Sequence, residues 1–302
     1  MANSQKSWKQ LDHFVINNCK IANELRKYRD LSGFLNRVSL SGERTRTPGQ
    51  AADYAEYHIT EDFTYLDMVT ANAAYTLMTQ CGPQVPFQAD VVAQIMAGDM
   101  GWRIADKRKR GLEERLEKLA RTRICILADH DHQVERDLYE GPFLPVDWEG
   151  EAGRRRFHFR PGEQMPLYQY ADDHRQLIRV PFQWLAENEG EARVRHNNSD
   201  RRLLLRHYLI QELQILLYQG NKVEEKKVQL LKTDREGREF GLLWTLGLAG
   251  DGEQKDRSGT AKGLQQSLQQ LLEGWSGLGL LDRLNYEILP AEEGYGARLF
   301  TL

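Results

Sequence analysis

What the chain lacks narrows its class first. Only three of its 302 residues are cysteine. Cys19, Cys81 and Cys125 lie far apart among apolar or helical neighbours, so they read as buried reduced thiols, not as a disulfide frame or zinc cluster. No stretch approaches the run of about 18 apolar residues that a bilayer span needs. The polar start Met1-Ala-Asn-Ser-Gln-Lys carries no secretory pattern. Signatures of familiar chemistry are missing too: there is no GxxxxGK[ST] phosphate loop, no GxSxG elbow and no HExxH zinc pair. The run Gly274-Trp-Ser-Gly-Leu-Gly ends a predicted helix, whereas a dinucleotide loop must follow a strand and open one. The expectation is a cytoplasmic protein without catalytic residues, cofactor, metal or membrane partner.

Two weaker chemical candidates remain. Asp129-His130-Asp131-His132 has metal-ligand side chains at close spacing, but no second ligand cluster stands nearby, and a turn after a strand explains it better. Tyr168 and Tyr170 lack the histidine or arginine set that a tyrosine nucleophile needs, and read as core aromatics.

The net charge of −3 is unremarkable, but its distribution is not. Residues 101–123 hold nine basic side chains (Arg103, Lys107, Arg108, Lys109, Arg110, Arg115, Lys118, Arg121, Arg123) and four acidic ones, a local balance of +5, while acid collects over Glu135 to Glu151. A chain polarised in this way presents a basic face to something.

The apolar spacing of Leu11, Val15, Cys19, Ala22, Leu25 and Tyr28 predicts a helix within 7–40, followed by a Ser/Gly/Thr/Pro loop over Ser39 to Gln50. Further helices are predicted at 66–80, capped by Thr64 or Asp67 and stopped at Cys81-Gly82-Pro83, at 88–97, and at 103–121. Ile124-Cys-Ile-Leu-Ala is a strand by content, and its expected partner is Arg154-Arg-Arg-Phe-His-Phe-Arg, with Ala128 to Gly153 as a long acidic insertion in the hairpin. Helix, helix, basic helix and hairpin is the order of a winged helix, a variant of the helix-turn-helix. The second half repeats that order: a strand at Leu177 to Phe182, a helix at 201–219, a short helix at 223–231, a helix at 258–276, and a terminal hairpin turning at Pro290. Residues 233–258 resist assignment. The fold class is therefore mainly α with small β-hairpins (α+β), as two winged-helix domains in tandem, 51–175 and 176–302, behind an N-terminal helical arm and linker over 1–50.

At about 100° per residue, Ala105, Leu112, Leu116 and Leu119 share one arc of the basic helix, and Lys107, Arg110, Glu114, Lys118 and Arg121 face away from it. Such a helix can pack on its domain while facing a major groove. The expected DNA contacts are Arg103, Lys107, Arg108, Arg110, Lys118 and Arg121, with Arg154, Arg155 and Arg156 of the first wing on phosphate. On the second unit's helix, Leu264, Leu268, Leu271 and Trp275 form the buried stripe. Lys262 and Gln266 then face outward, Gln being able to pair with adenine, and the wing residue Arg298 is expected on phosphate.

Several runs, degenerate singly but ordered, carry a family resemblance. They are Leu66-Asp-Met-Val-Thr-Ala-Asn-Ala-Ala-Tyr-Thr-Leu, the Met96-Ala-Gly-Asp turn, Leu116-Glu-Lys-Leu-Ala-Arg-Thr-Arg-Ile-Cys-Ile, Pro166-Leu-Tyr-Gln-Tyr-Ala, Arg206-His-Tyr-Leu-Ile-Gln-Glu-Leu and Leu271-Leu-Glu-Gly-Trp. Over about residues 60–285 the chain resembles the replication-initiator-like, tandem winged-helix proteins of plasmids and integrative elements of Gram-positive gut bacteria. The resemblance implies binding to repeated origin sites on double-stranded DNA, recruitment of host replication proteins, and no catalysis; a homodimer is a candidate form, with the oligomeric state left open by the sequence. A repressor acting on operator repeats, or a protein-interaction factor built on the same frame, are the alternatives; the acidic segment and low net charge leave room for them.

Overall fold

The computed structural model describes residues 7–27, 31–39, 54–129, 136–185, 199–218, 225–233, 239–249 and 254–301. The chain is α+β, with helices and several small antiparallel sheets. It divides into two compact units, Met1–Ile95 with Met100–Arg179, and Met96–Asp99 with Val180–Leu302.

In the first unit, a 3-10 turn leads to β1 (His13–Asn17), α1 (Lys20–Lys27), β2 (Leu35–Ser39) and β3 (Tyr54–Ile59). Among the described residues, the helix expected within 7–40 is limited to Lys20–Lys27. The reason lies in α2 (Tyr65–Cys81). Its Thr76 Oγ1 accepts the Val15 N–H at 2.9 Å, its Asn72 Oδ1 accepts the Asn17 N–H at 3.1 Å, and its Gln80 Nε2 donates to the His13 carbonyl at 2.6 Å. Three side chains on one helix face, at i, i+4 and i+8, offer an extended strand the partners that a helix would have found within itself. Phe14, Val15 and Ile16 are buried in succession, as in a strand covered on both faces.

The helix α2 opens with a capping box: Thr64 accepts from the Asp67 N–H, and the Asp67 carboxylate accepts from the Thr64 N–H at 2.8 Å. Next come α3 (Ala89–Ala97), α4 (Asp106–Arg121), β4 (Arg123–Asp129), β5 (Arg136–Pro142), β6 (Val146–Glu149), β7 (Arg156–Phe159), α5 (Pro166–Asp173) and β8 (Leu177–Pro181), the last pairing with β1. The expected pairing of the 124–128 strand with the arginine strand does not form. β4 lies between β3 and β5 in a four-stranded sheet, ordered β2-β3-β4-β5, so both its edges are taken. β7 pairs instead with β6, Val146 opposite Phe159 and Glu149 opposite Arg156, and Phe87 bridges its other side at Phe157. Closing the short turn over residues 150–155 costs less chain entropy than joining strands some thirty residues apart. The supposed acidic insertion is therefore a sheet strand, β5, plus the first strand of a compact hairpin. Phe87, Phe157 and Phe159, with ring centroids 5.0–5.7 Å apart, fill the base of that hairpin.

In the second unit, α6 (Asp200–Tyr218) precedes β9 (Glu225–Gln229), where a short helix was expected. β10 (Lys232–Thr233), β11 (Glu239–Phe240) and α7 (Leu242–Thr245) follow, giving the unassigned 233–258 segment a strand pair, one helical turn and the start of the next helix among its described residues. Then come α8 (Gln254–Gly277), β12 (Leu284–Leu289) and β13 (Gly296–Thr301). The terminal hairpin falls where the sequence predicts it, and β13 takes β9 on its far edge, for a sheet ordered β12-β13-β9. Gly296, at φ 128°, starts β13 so close to β9 that a Cβ would collide with the Val228 carbonyl oxygen. β9 is a strand because Lys226 and Val228 face inward, Val228 buried and Lys226 reaching the buried Glu212 of α6 at 2.8 Å. In the first unit α2, a bridge at Phe87, α3 and α4 are followed by β4, β5 and the hairpin β6–β7, whose last strand pairs back to the bridge. In the second, α6, β9, the β10–β11 pair, α7 and α8 are followed by the hairpin β12–β13, whose last strand pairs back to β9.

Candidate nucleic-acid interface

On α4 the buried stripe is Leu112, Leu116, Leu119 and Ala120; Ala105, expected within it, is exposed and stands at the N-cap. Lys107, Arg110, Glu114 and Arg121 are exposed, as the angular reading requires, and so is Arg103 before the helix, whereas Lys118 of that reading is half-buried. Arg110 lies along the hairpin turn: a Cβ at Gly153 would be 3.7 Å from its Nε. Only glycine suits this place, since Gly153 also sits at φ 88°. Arg154 and Arg156 flank that turn, both exposed, so helix and hairpin offer cations side by side.

Other residues of the expected set are engaged elsewhere. Lys118 donates at 2.9 Å to Asp67, a fully buried carboxylate that also pairs with Arg115, so these two cations clamp α4 to the start of α2 instead of facing outward. The Arg155 guanidinium pairs with the buried Glu117 and is half-buried. Arg108 packs over the Trp102 ring at 4.5 Å. Arg121 divides between Glu117 at 3.3 Å and the Trp148 ring at 5.7 Å, yet remains exposed.

Within the second unit, Lys262 and Gln266 of α8 are exposed, behind them a buried stripe of Leu264, Leu268, Leu271 and Trp275. Gln269 is bonded to Glu273 at 2.8 Å, and Gln270 to Arg202 at 2.8 Å. Arg298 is held among Glu225, Glu287 and Glu293 at 3.1–3.9 Å. Lys227 opposite it shares Glu293 at 2.6 Å, so two cations meet three carboxylates on that sheet face, and the guanidinium expected on phosphate is engaged within its own sheet.

Sequence reasoning took Asp67 only as a helix cap and gave Glu113 and Glu117 no structural part, yet all three are buried carboxylates that hold this surface in shape. Their signal was available: Leu112-Glu113 and Leu116-Glu117 repeat at a spacing of four, which sets both acids on one face beside the leucine stripe. The Asp-His run at 129–132 lies almost wholly outside the described residues, and among those described no cluster of His, Cys, Asp or Glu could hold a metal ion. No described helix is long and apolar enough to cross a membrane.

No protein-family model matches the chain. No curated protein matches it in sequence either. Among solved structures it is similar to domains 2 and 3 of RctB: one crystal structure aligns at a TM-score of 0.43 and 12% identity, covering 91% of this chain and 93% of that one. A selenomethionine form of the same domains aligns at 0.40 and 11%, covering 91% of each. Likeness at this level carries no argument about what the chain binds.

Proposed function

We propose that the chain binds double-stranded DNA without catalysing a reaction, through two winged-helix units, as an initiator of replication acting at repeated sites on a plasmid or mobile element. The observation that carries this reading is the exposed row Lys107, Arg110 and Arg121 on α4, next to Arg154 and Arg156 on the hairpin that follows. A helix about 10–12 Å across fits a major groove about 12 Å wide, and cations on the flanking hairpin then fall on the phosphate backbone. The second unit contributes Lys262 and Gln266, a weaker footprint with an adenine-reading side chain. Phosphate contacts supply most of the affinity in this reading, so binding falls steeply as salt rises.

The test is a shift assay on duplexes selected from a random-sequence library by the parent protein, at two salt concentrations, with Lys107→Glu/Arg110→Glu beside the parent. The double variant loses binding at least tenfold, and the slope of log affinity against log salt falls by about 2, roughly 0.9 for each cation removed. Equal binding by parent and variant removes α4 from the interface and the reading with it.

A further inference from the structure

Glu113 sits on the basic helix between exposed Arg110 and exposed Glu114, yet it is fully buried. Its two carboxylate oxygens accept the N–H groups of Gly153 and Arg155, the latter at 3.0 Å, both in the turn and strand that carry the outward arginines. One helical turn later Glu117, also buried, pairs with the Arg155 guanidinium. A negative charge buried on a helix that faces a polyanion is costly twice, in lost hydration and in repulsion. Its compensation is geometric. Two charge-assisted bonds fix the turn against α4, and with it the direction of Arg154 and Arg156 relative to Lys107 and Arg110.

The second unit contains the same device without the charge. Gln265 of α8 donates through Nε2 to the Leu289 carbonyl at 3.0 Å and accepts the Gly296 N–H at Oε1. Those two residues flank the β12–β13 turn. In each unit, therefore, one side chain from the long helix before the hairpin bonds two backbone groups at that hairpin's turn.

We infer that Glu113 is a positioning residue for nucleic-acid recognition: it clasps the first unit's hairpin to α4 and so fixes the spacing between the helix cations and the hairpin cations. The inference rests on the DNA-binding reading above, and it makes a prediction opposite to that of charge alone. Glu113→Gln and Glu114→Gln each remove one negative charge from the same helix, at adjacent positions. If charge alone decided, both would tighten binding. With the clasp, Glu114→Gln tightens binding, whereas Glu113→Gln weakens binding to the selected duplex about tenfold, the size of one charge-assisted hydrogen bond, and leaves binding to a scrambled duplex unchanged or stronger.

The experiment measures both duplex affinities for the full chain and its two variants. It also measures hydrogen exchange at the Gly153 and Arg155 amides in the absence of DNA. Exchange there speeds about tenfold or more in Glu113→Gln alone, while the amides of α2 keep their parent protection, which separates a loosened hairpin from a destabilised unit. Unchanged exchange at Gly153 and Arg155, or a Glu113→Gln variant that binds the selected duplex as tightly as Glu114→Gln, overturns the clasp while leaving the DNA reading intact. If the parent binds no duplex, the DNA reading fails and so does the role in recognition, while exchange still decides whether the clasp exists.

Discussion

Asp67 is the joint between the two helices that matter most to the first unit, and replacing it by Asn tests that joint. The substitution keeps the shape and an acceptor for the Thr64 N–H, but it removes the charge that Lys118 and Arg115 approach. Breaking a buried ion pair by neutralising one partner costs about 3–5 kcal/mol. The lower end applies here, because Arg115 and Lys118 are 25% and 32% exposed and regain water once released. A loss of about 3 kcal/mol lowers the melting temperature by about 6–12 °C for a unit of this size. The control is Asp90→Asn, which removes a partner at 3.0 Å from Lys109; Asp90 is 39% exposed and Lys109 13%, so the cost is about 1 kcal/mol, the upper end for an exposed pair. Calorimetry checks this: the melting of the first unit is expected to move and that of the second to stay where it is. Should Asp67→Asn cost no more than Asp90→Asn, the claim that Asp67 sets the position of α4 is wrong.

Two further outcomes depend on burial. His207 of α6 is fully buried and bonds to the Met96 carbonyl at 2.8 Å through Nε2; burial first, and then Arg206, push its pKa down to about 3. The unfolded chain, with an ordinary histidine, takes up a proton near pH 6.5, whereas the folded chain resists until about pH 3. Stability of the second unit is therefore unaffected by this group above pH 6.5 and falls by up to about 1.4 kcal/mol per pH unit below it. Urea unfolding between pH 7 and pH 5 measures that slope, and a His207→Gln variant with the same slope would deny it to this residue. Among the cysteines, burial pushes the Cys19 thiol up to about 12, and Cys81 is buried, so neither reacts with iodoacetamide at pH 8 in the folded chain, while half-buried Cys125 reacts slowly. Mass spectrometry of partly labelled protein checks the order; alkylation of Cys19 ahead of Cys125 would contradict the packing of α1 against α2.

The helices were legible because their signals are local. Thr64 and Asp67 announce the start of α2, Gly82 its stop, and the leucines at 112, 116 and 119 the inner side of α4. The alternation of Phe157 and Phe159 with Arg156 and His158 likewise gave β7 its faces. What the sequence did not disclose were the partners. Strand pairing is decided by which edges remain available, and nothing in Ile124-Cys-Ile-Leu-Ala says that both of its edges are filled by Tyr54–Ile59 and Arg136–Pro142. β1 was hidden for a related reason: its backbone groups are satisfied by polar side chains of α2 that lie some sixty residues away.

The same distinction governs the candidate interface. Counting charge along residues 101–123 treats every lysine and arginine as available, but the fold divides them. Arg115 and Lys118 on Asp67 and Lys109 on Asp90 brace the helix against its own unit, Arg123 pairs with Glu140 across β4 and β5, and Arg103, Lys107, Arg110 and Arg121 are exposed. A basic helix that only repelled its surroundings would have no fixed orientation, and cations without a fixed orientation bind DNA of any sequence. In the proposed reading, buried Asp67 sets where α4 lies and buried Glu113 sets where its hairpin lies, so discrimination between one duplex and another then rests on carboxylates that touch no DNA themselves.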